Sequence, residues 1–301
     1  MPTFLTAVLT LVLLFFPPKV FAQNPPGISV SPAMLKLDLA TDQPNFTLNY
    51  QNSTSSVLQL TFSAKDFTGL EEGWRVKFLD QQDAQNYHYS LSSWLDFSPE
   101  TMLLKSGETG NLTVNIRQAN LSPGGHYASI VADISPPFPE PGTVIIKSQL
   151  VSLAFIRANT GQENDAAKLS GFTAVKDNLL TLPQKFSLRF DNTGNTQLTP
   201  HGVLTVKNFL GYTVSQSILN EDSLITLPES IRKYEIKTNL DQIAWLLPGP
   251  YQTDLTVNFG RDKTIYASTK FFVLGSKNSL TLVTILLFLL LIALKYRKTR
   301  K

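Results

Sequence analysis

The sequence predicts an all-β protein: two tandem immunoglobulin-like Greek-key β-sandwiches followed by one C-terminal transmembrane helix. Three observations predict it. Apolar and polar residues alternate in short runs, each closed by a turn signal, and no stretch longer than two turns is amphipathic at helical period. The runs fall into two sets of seven, parted by a stretch without a large apolar residue, and seven strands per half suit a Greek-key sandwich. One uncharged, apolar segment, Asn278 to Leu294, stands directly before a basic end.

Taken in order, Phe4 to Phe16 is apolar but short for a membrane span, and Pro17-Pro18 then Val20-Phe21-Ala22 follow it. This predicts a signal peptide over residues 1–22 with Gln23 as the first mature residue, although Met1-Pro2-Thr3 carries no basic charge. The first sandwich, residues 23–157, takes the runs Ile28 to Leu39, Phe46 to Gln51, Leu58 to Phe67, Met102 to Leu104, Leu112 to Arg117, His126 to Ile134 and Val144 to Ile156. An insertion from Thr68 to Ser93 is too long for a hairpin turn. Residues 158–168 form the linker, because nothing in them can contribute to a core. The second sandwich, residues 169–275, takes Leu169 to Val175, Lys185 to Asp191, Gly202 to Lys207, Tyr212 to Ile218, Arg232 to Thr238, Tyr251 to Phe259 and Thr264 to Val273. Asn278 to Leu294 then spans the membrane, and the basic tail 295–301 stays in the cytoplasm by the positive-inside rule. This predicts a single-pass plasma-membrane protein whose ectodomain is extracellular.

Charge excludes a nucleic-acid partner. Without Lys19 and the five tail charges, 20 basic residues stand against 23 acidic ones, so the net charge of +3 belongs to the tail. The chain has no cysteine, hence no disulfide and no thiolate metal site, which suits a bacterial surface protein. Asn45, Asn52 and Asn111 begin Asn-x-Thr sequons, which are chance matches or glycosylation sites according to the host.

The residues for catalysis are few. His88, His126 and His201 lie on separate segments with no carboxylate at metal-ligand spacing. Glu71-Glu72 and Glu221-Asp222 are adjacent acids, whose side chains point apart on a strand or loop. No nucleophile elbow or phosphate loop occurs. The expectation is a protein that is not an enzyme and holds no metal and no cofactor.

Three groups of residues are candidates for binding. Trp74, Tyr87 and Tyr89 in the insertion either stack on sugar rings or form a second small core beneath a long loop. Phe138 stands in the proline-rich stretch Ser135 to Gly142, held outward by a stiff arch or folded back on the sandwich. Phe209 and Tyr212 occupy a tight turn where polar residues are usual, and form either an exposed tip or a packed contact.

Several motifs resemble a known family. Ile28-Ser-Val-Ser-Pro-Ala, Leu104-Lys-Ser-Gly-Glu-Thr-Gly-Asn-Leu-Thr-Val-Asn-Ile-Arg and Pro123-Gly-Gly-His-Tyr-Ala-Ser-Ile-Val look like the N-terminal domain of bacterial WxL-interacting surface proteins. Asn192-Thr-Gly-Asn-Thr-Gln-Leu and Pro248-Gly-Pro-Tyr-Gln-Thr-Asp-Leu-Thr-Val look like the immunoglobulin-like domain before that family's membrane anchor. The resemblance implies a membrane-anchored binding or scaffolding protein at the cell surface, with peptidoglycan-like cell-wall polymer or another surface protein as partner. It transfers no site residues. The alternative is a chaperone-like factor that caps or donates strands during surface assembly.

Overall fold

The computed structural model describes residues 27–70, 72, 75–117, 121–137, 148–159, 161–175, 182–183, 185–238, 247–274 and 277–299. The expected signal peptide, Trp74 and Phe138 lie outside these residues.

The first domain is a sandwich of two sheets. One runs in the order β1 (Ile28–Ser31), β3 (Asn45–Asn52), β8 (Thr109–Ile116), β6 (Leu95–Ser98). The other runs β2 (Met34–Asp38), β10 (Ser148–Ala158), β9 (Gly124–Ser135), β4 (Leu58–Gly69), β5 (Val76–Phe78), with β7 (Thr101–Leu104) also on β4. The core follows from alternation. On β3, Phe46, Leu48 and Tyr50 point inward between exposed neighbours, and they meet Leu112, Val114 and Ile116 of β8 and Ile130 and Ala132 of β9.

Two features depart from the expected seven runs. The run Ile28 to Leu39 is two strands: β1 pairs antiparallel with β3, and after Pro32 the chain crosses to the opposite sheet, where β2 pairs parallel with β10. Proline lacks the N–H that a continuous ladder needs. The insertion also has structure of its own. It adds β5, the short helix α1 (Gln81–Gln85), a 3₁₀ turn (Ser92–Trp94) and then β6. Asp80 caps α1 by accepting from the Asp83 amide at 2.8 Å.

In the second domain, one sheet runs β11 (Ala167–Val175), β12 (Lys185–Asn192), β15 (Ser230–Lys237), and the other β14 (Thr213–Leu219), β13 (His201–Asn208), β16 (Gly249–Phe259), β17 (Lys263–Val273). Phe186, Leu188 and Phe190 of β12 face Leu204, Val206, Leu255 and Val257 across its core. The all-β, two-domain sandwich architecture is therefore as the alternation predicts.

The predicted transmembrane helix is corrected. The C-terminal helix α2 (Lys277–Thr299) follows the second domain, yet among the described residues no helix is long and apolar enough to cross a membrane. The single-pass plasma-membrane location and the membrane contact through Asn278 to Leu294 go with it.

Candidate functional site

β9 is buried along nearly its whole length on both faces. A strand of a two-sheet sandwich buries one face in its own core, so the outer face of β9 needs a second cover. The second domain and the insertion supply it. Phe67 of β4, Tyr127 of β9 and Phe155 of β10 point out of the first core and meet Tyr89, Ile225 and Leu227 in a third apolar cluster. The rings sit edge to face: Phe67 and Phe155 centroids are 5.6 Å apart, Tyr127 and Phe155 5.8 Å, Tyr87 and Tyr89 5.7 Å.

Polar contacts fix the same junction. Tyr89 donates to Glu229 at 3.0 Å and Tyr127 to Gln197 at 3.1 Å. Gly124 has a φ of +114°, and a Cβ there would stand 2.3 Å from the Asn195 carbonyl oxygen, so only glycine admits the second domain this closely. The next amide, Gly125, donates to that oxygen at 2.7 Å.

At the linker, Arg157 at the end of β10 pairs with Asp165 at 2.9 Å. Asp165 also accepts from the Arg261 amide at 2.9 Å and from Thr196. Arg261 in turn reaches Asp38 at 3.2 Å. Burial works to raise the Asp165 carboxyl, but hydrogen bonds from Thr196 and Arg157, the Arg157 charge and the Arg261 amide outweigh it and hold the group below its ordinary range. Only Ala158 and Ala167, at its two ends, bring apolar side chains from the described linker residues to a core, and its middle is locked by charge.

Two openings remain at this junction. The first is a cavity of about 300 Å³ between the domains, with Met34, Phe67, Leu153, Phe155, Ile225 and Leu227 in its wall. The second is an unpaired strand edge. β2 covers β10 only from Leu153 to Arg157, where the Leu153 amide donates to Ala33 at 3.0 Å. Ser152 closes the paired part by donating to the Pro32 carbonyl at 2.6 Å. From Ser148 to Val151 no strand among the described residues pairs with that side of β10, whereas β9 pairs with the other side throughout. Amides alternate in direction along a strand, so the Val151 N–H points the same way as that of Leu153, into the open edge.

The candidate residues do not converge. Tyr89 is 5% exposed and Tyr87 packs against the third cluster, so these two rings belong to a second small core beneath the insertion. Burial pushes the Tyr87 phenol up to about 12, and burial with the hydrogen bond to Glu229 raises that of Tyr89 above its usual range. Phe209 and Tyr212 are 52% and 69% exposed on the β13–β14 turn, at the end of the second domain away from the junction. There Asn208 accepts from the Leu210 and Tyr212 amides at 3.0 Å each. His126 is 2% exposed, with its ring nitrogens 2.9 Å from the Ser90 and Ser122 carbonyls. Asn52 of the second sequon is fully buried, its amide donating to Ser56 and Leu104. Among the described residues no cluster of His, Asp or Glu could hold a metal. The β10 edge carries no motif, whereas the Gly124 contact lies within Pro123-Gly-Gly-His-Tyr, a motif whose part in docking the second domain was not legible.

No family model and no curated protein matches the chain. Among solved structures its fold is similar to the YadV chaperone, at 12% identity over 81% of this chain and 99% of that one with a TM-score of 0.40. It is similar to the Salmonella enterica SafA pilin in complex with the SafB chaperone, at 10% identity, 84% and 99% coverage and a TM-score of 0.38. A third is the class 5 fimbriae chaperone CfaA, at 10% identity, 82% and 99% coverage and a TM-score of 0.43. At these values the likeness carries no argument about what this chain does. The matched structures are chaperones of pili and fimbriae, not WxL-interacting surface proteins, so the resemblance read from the motifs is withdrawn. The membrane-anchored cell-surface scaffold falls with it. Cell-wall polymer as partner is likewise withdrawn; the solved complexes among the matches hold a chaperone with a pilin or a tip adhesin. The fold is that of a two-domain all-β sandwich.

Proposed function

We propose that this chain is a non-enzymatic, chaperone-like assembly factor that caps partner β-sandwiches lacking a strand, or lends them one. The observation that carries the reading is the open half-edge of β10, Ser148 to Val151, beside a strand held rigidly by β9 and by β2 beyond Leu153. An exposed edge of this kind pairs readily with another chain's backbone, and side chains alternating along it supply selectivity. Leu150 packs against the first core, so an added strand would extend an existing apolar layer. In this reading the first domain, residues 23–157, carries the edge, and the linker 158–168 fixes the second domain, 169–275, against it. The exposed Phe209 and Tyr212 would offer a separate contact for a bulky partner.

The test uses the direction of the Val151 amide. Val151→Pro removes a donor from the open edge and leaves the β9 ladder intact, whereas Leu150→Pro removes a β9 hydrogen bond. A β-sandwich subunit lacking one strand is unfolded in urea and diluted into equimolar full-length chain, with aggregation followed by light scattering. The wild type is expected to suppress scattering, and Val151→Pro to lose that effect while keeping the wild-type unfolding midpoint. Equal suppression by both chains would overturn the role of the edge.

A further inference from the structure

The interdomain cavity is lined by three charged residues, of which Arg75 and Asp222 are exposed to solvent and Arg232 is half-buried with no ion pair among the described residues. Its wall is mainly apolar, and the segment that forms the second domain's side, Asn220 to Glu229, is held in an uncommon conformation. Asn220, Ser223 and Glu229 have φ of 61°, 53° and 55°. Asn220 clamps the segment by donating to the Pro200 and Leu224 carbonyls at 2.8 and 2.9 Å and accepting from the Leu224 amide at 2.8 Å. Left-handed backbone at non-glycine residues costs free energy and persists where the surroundings impose it.

Arg232 on β15 lines this cavity. Its guanidinium donates to the Ile225 carbonyl and stands 5.9 Å above the Tyr234 ring. Among the described residues no carboxylate lies within ion-pair distance of it. Nearby, Glu72 is already paired with Arg189. Asp222 also lines the cavity but is exposed to solvent and makes no ion pair with Arg232. Burial draws Arg232 below its ordinary pKa, because the charged form loses hydration that no anion restores. A guanidinium has five donors in a planar fork, and carboxylates fit that fork.

We infer that the cavity binds a small monocarboxylate with an unbranched apolar body, its carboxylate on Arg232 and its chain against Met34, Leu153, Phe155 and Ile225. A volume of about 300 Å³ lies at the small end of ligand pockets, which run from roughly 300 to 1,000 Å³, so the body is a medium-length alkyl chain. The inference stands apart from strand capping, because it uses the cavity and not the β10 edge.

The probe is decanoate, titrated calorimetrically into the full-length chain. Decanol and decyltrimethylammonium test the head group, and acetate tests the body. Decanoate is expected to saturate one site and to bind about tenfold or more tightly than decanol, as a charge-assisted hydrogen bond would give. Arg232→Gln should abolish that preference while leaving decanol binding unchanged. Leu153→Trp should fill the cavity and remove both. Equal affinity for decanoate and decanol on the wild-type chain overturns the charge pairing, and this comparison decides even if Arg232→Gln fails to fold. Undiminished binding by a folded Leu153→Trp would place the alkyl chain outside the cavity and overturn the site. Retained suppression of aggregation by Leu153→Trp would show that strand capping stands whichever way the ligand result falls.

Discussion

Asp165 shows how one polar residue sets the relation of the two domains. It is 5% exposed, and its carboxylate ties the linker to Arg157 of the first domain and to Thr196 and the Arg261 amide of the second. Asp165→Asn would leave Arg157, only 13% exposed, with Asp38 at 4.0 Å as its remaining counter-charge. The expected loss is about 3 kcal/mol in urea unfolding, at the low end for breaking a buried pair because Asp38 stays in place. The pH dependence follows from the depressed pKa. The stability Asp165 contributes is complete above the ordinary carboxyl value of about 4 and disappears as pH falls through the lower folded value. The wild-type urea midpoint should therefore drop between about pH 5 and pH 2, and the drop in Asp165→Asn should be shallower. An unchanged acid profile would mean that other carboxylates dominate.

The insertion is an element held by one buried side chain. Asp66 on β4, 1% exposed, accepts from the Leu91 and Ser92 amides at 2.8 and 2.7 Å and from the Ser90 and Ser92 hydroxyls at 2.7 and 2.8 Å. This clamp sets the 3₁₀ turn, and with it the position of Tyr89 at the junction. Removing the acceptor strands the buried Leu91 amide and the part-buried Ser92 amide. Asp66→Ala should cost about 2 to 4 kcal/mol, and amide exchange should accelerate across residues 87–92 well before the rest of β4. Uniform exchange across β4 and the insertion would show that the clamp holds more than this element. The open half of β10 behaves differently. Among the described residues it has no cap on one side, so Val151→Pro is expected to be tolerated in the free chain and Leu150→Pro is not.

Over the whole molecule, the third apolar cluster, the Asp165 network and the Gly124 contact couple two sandwiches that each have a core of their own. Their burial predicts a single cooperative transition for the full chain. Circular dichroism and tryptophan fluorescence should give coincident urea curves, unaffected by reductant because no cysteine is present. The isolated first domain would expose Phe67, Tyr127 and Phe155, and it should bind an apolar dye that the full chain does not. Two resolved transitions in the intact chain would show that the junction contributes little.

Local pattern in the sequence determined the all-β class, the two sandwiches and the positions of most strands. Alternation is a property of neighbouring residues, and β12 or β16 reads the same whether the chain is folded or not. The split of the run Ile28 to Leu39 at Pro32 was missed, although a proline cannot continue a ladder. What joins the domains was not legible, because Tyr127, Asn195 and Ile225 come together only when strands distant in sequence pair and the two cores dock. Tyr87 and Tyr89 read equally as a surface for sugars or as a second small core, because aromatic residues in a loop look alike whether solvent or another domain covers them. The uncovered half of β10 is decided by where β2 ends in space, since an edge is the absence of a neighbour and leaves no residue signature. Arg232 is likewise an ordinary strand residue until folding places it in a mainly apolar cavity, where it makes no ion pair among the described residues.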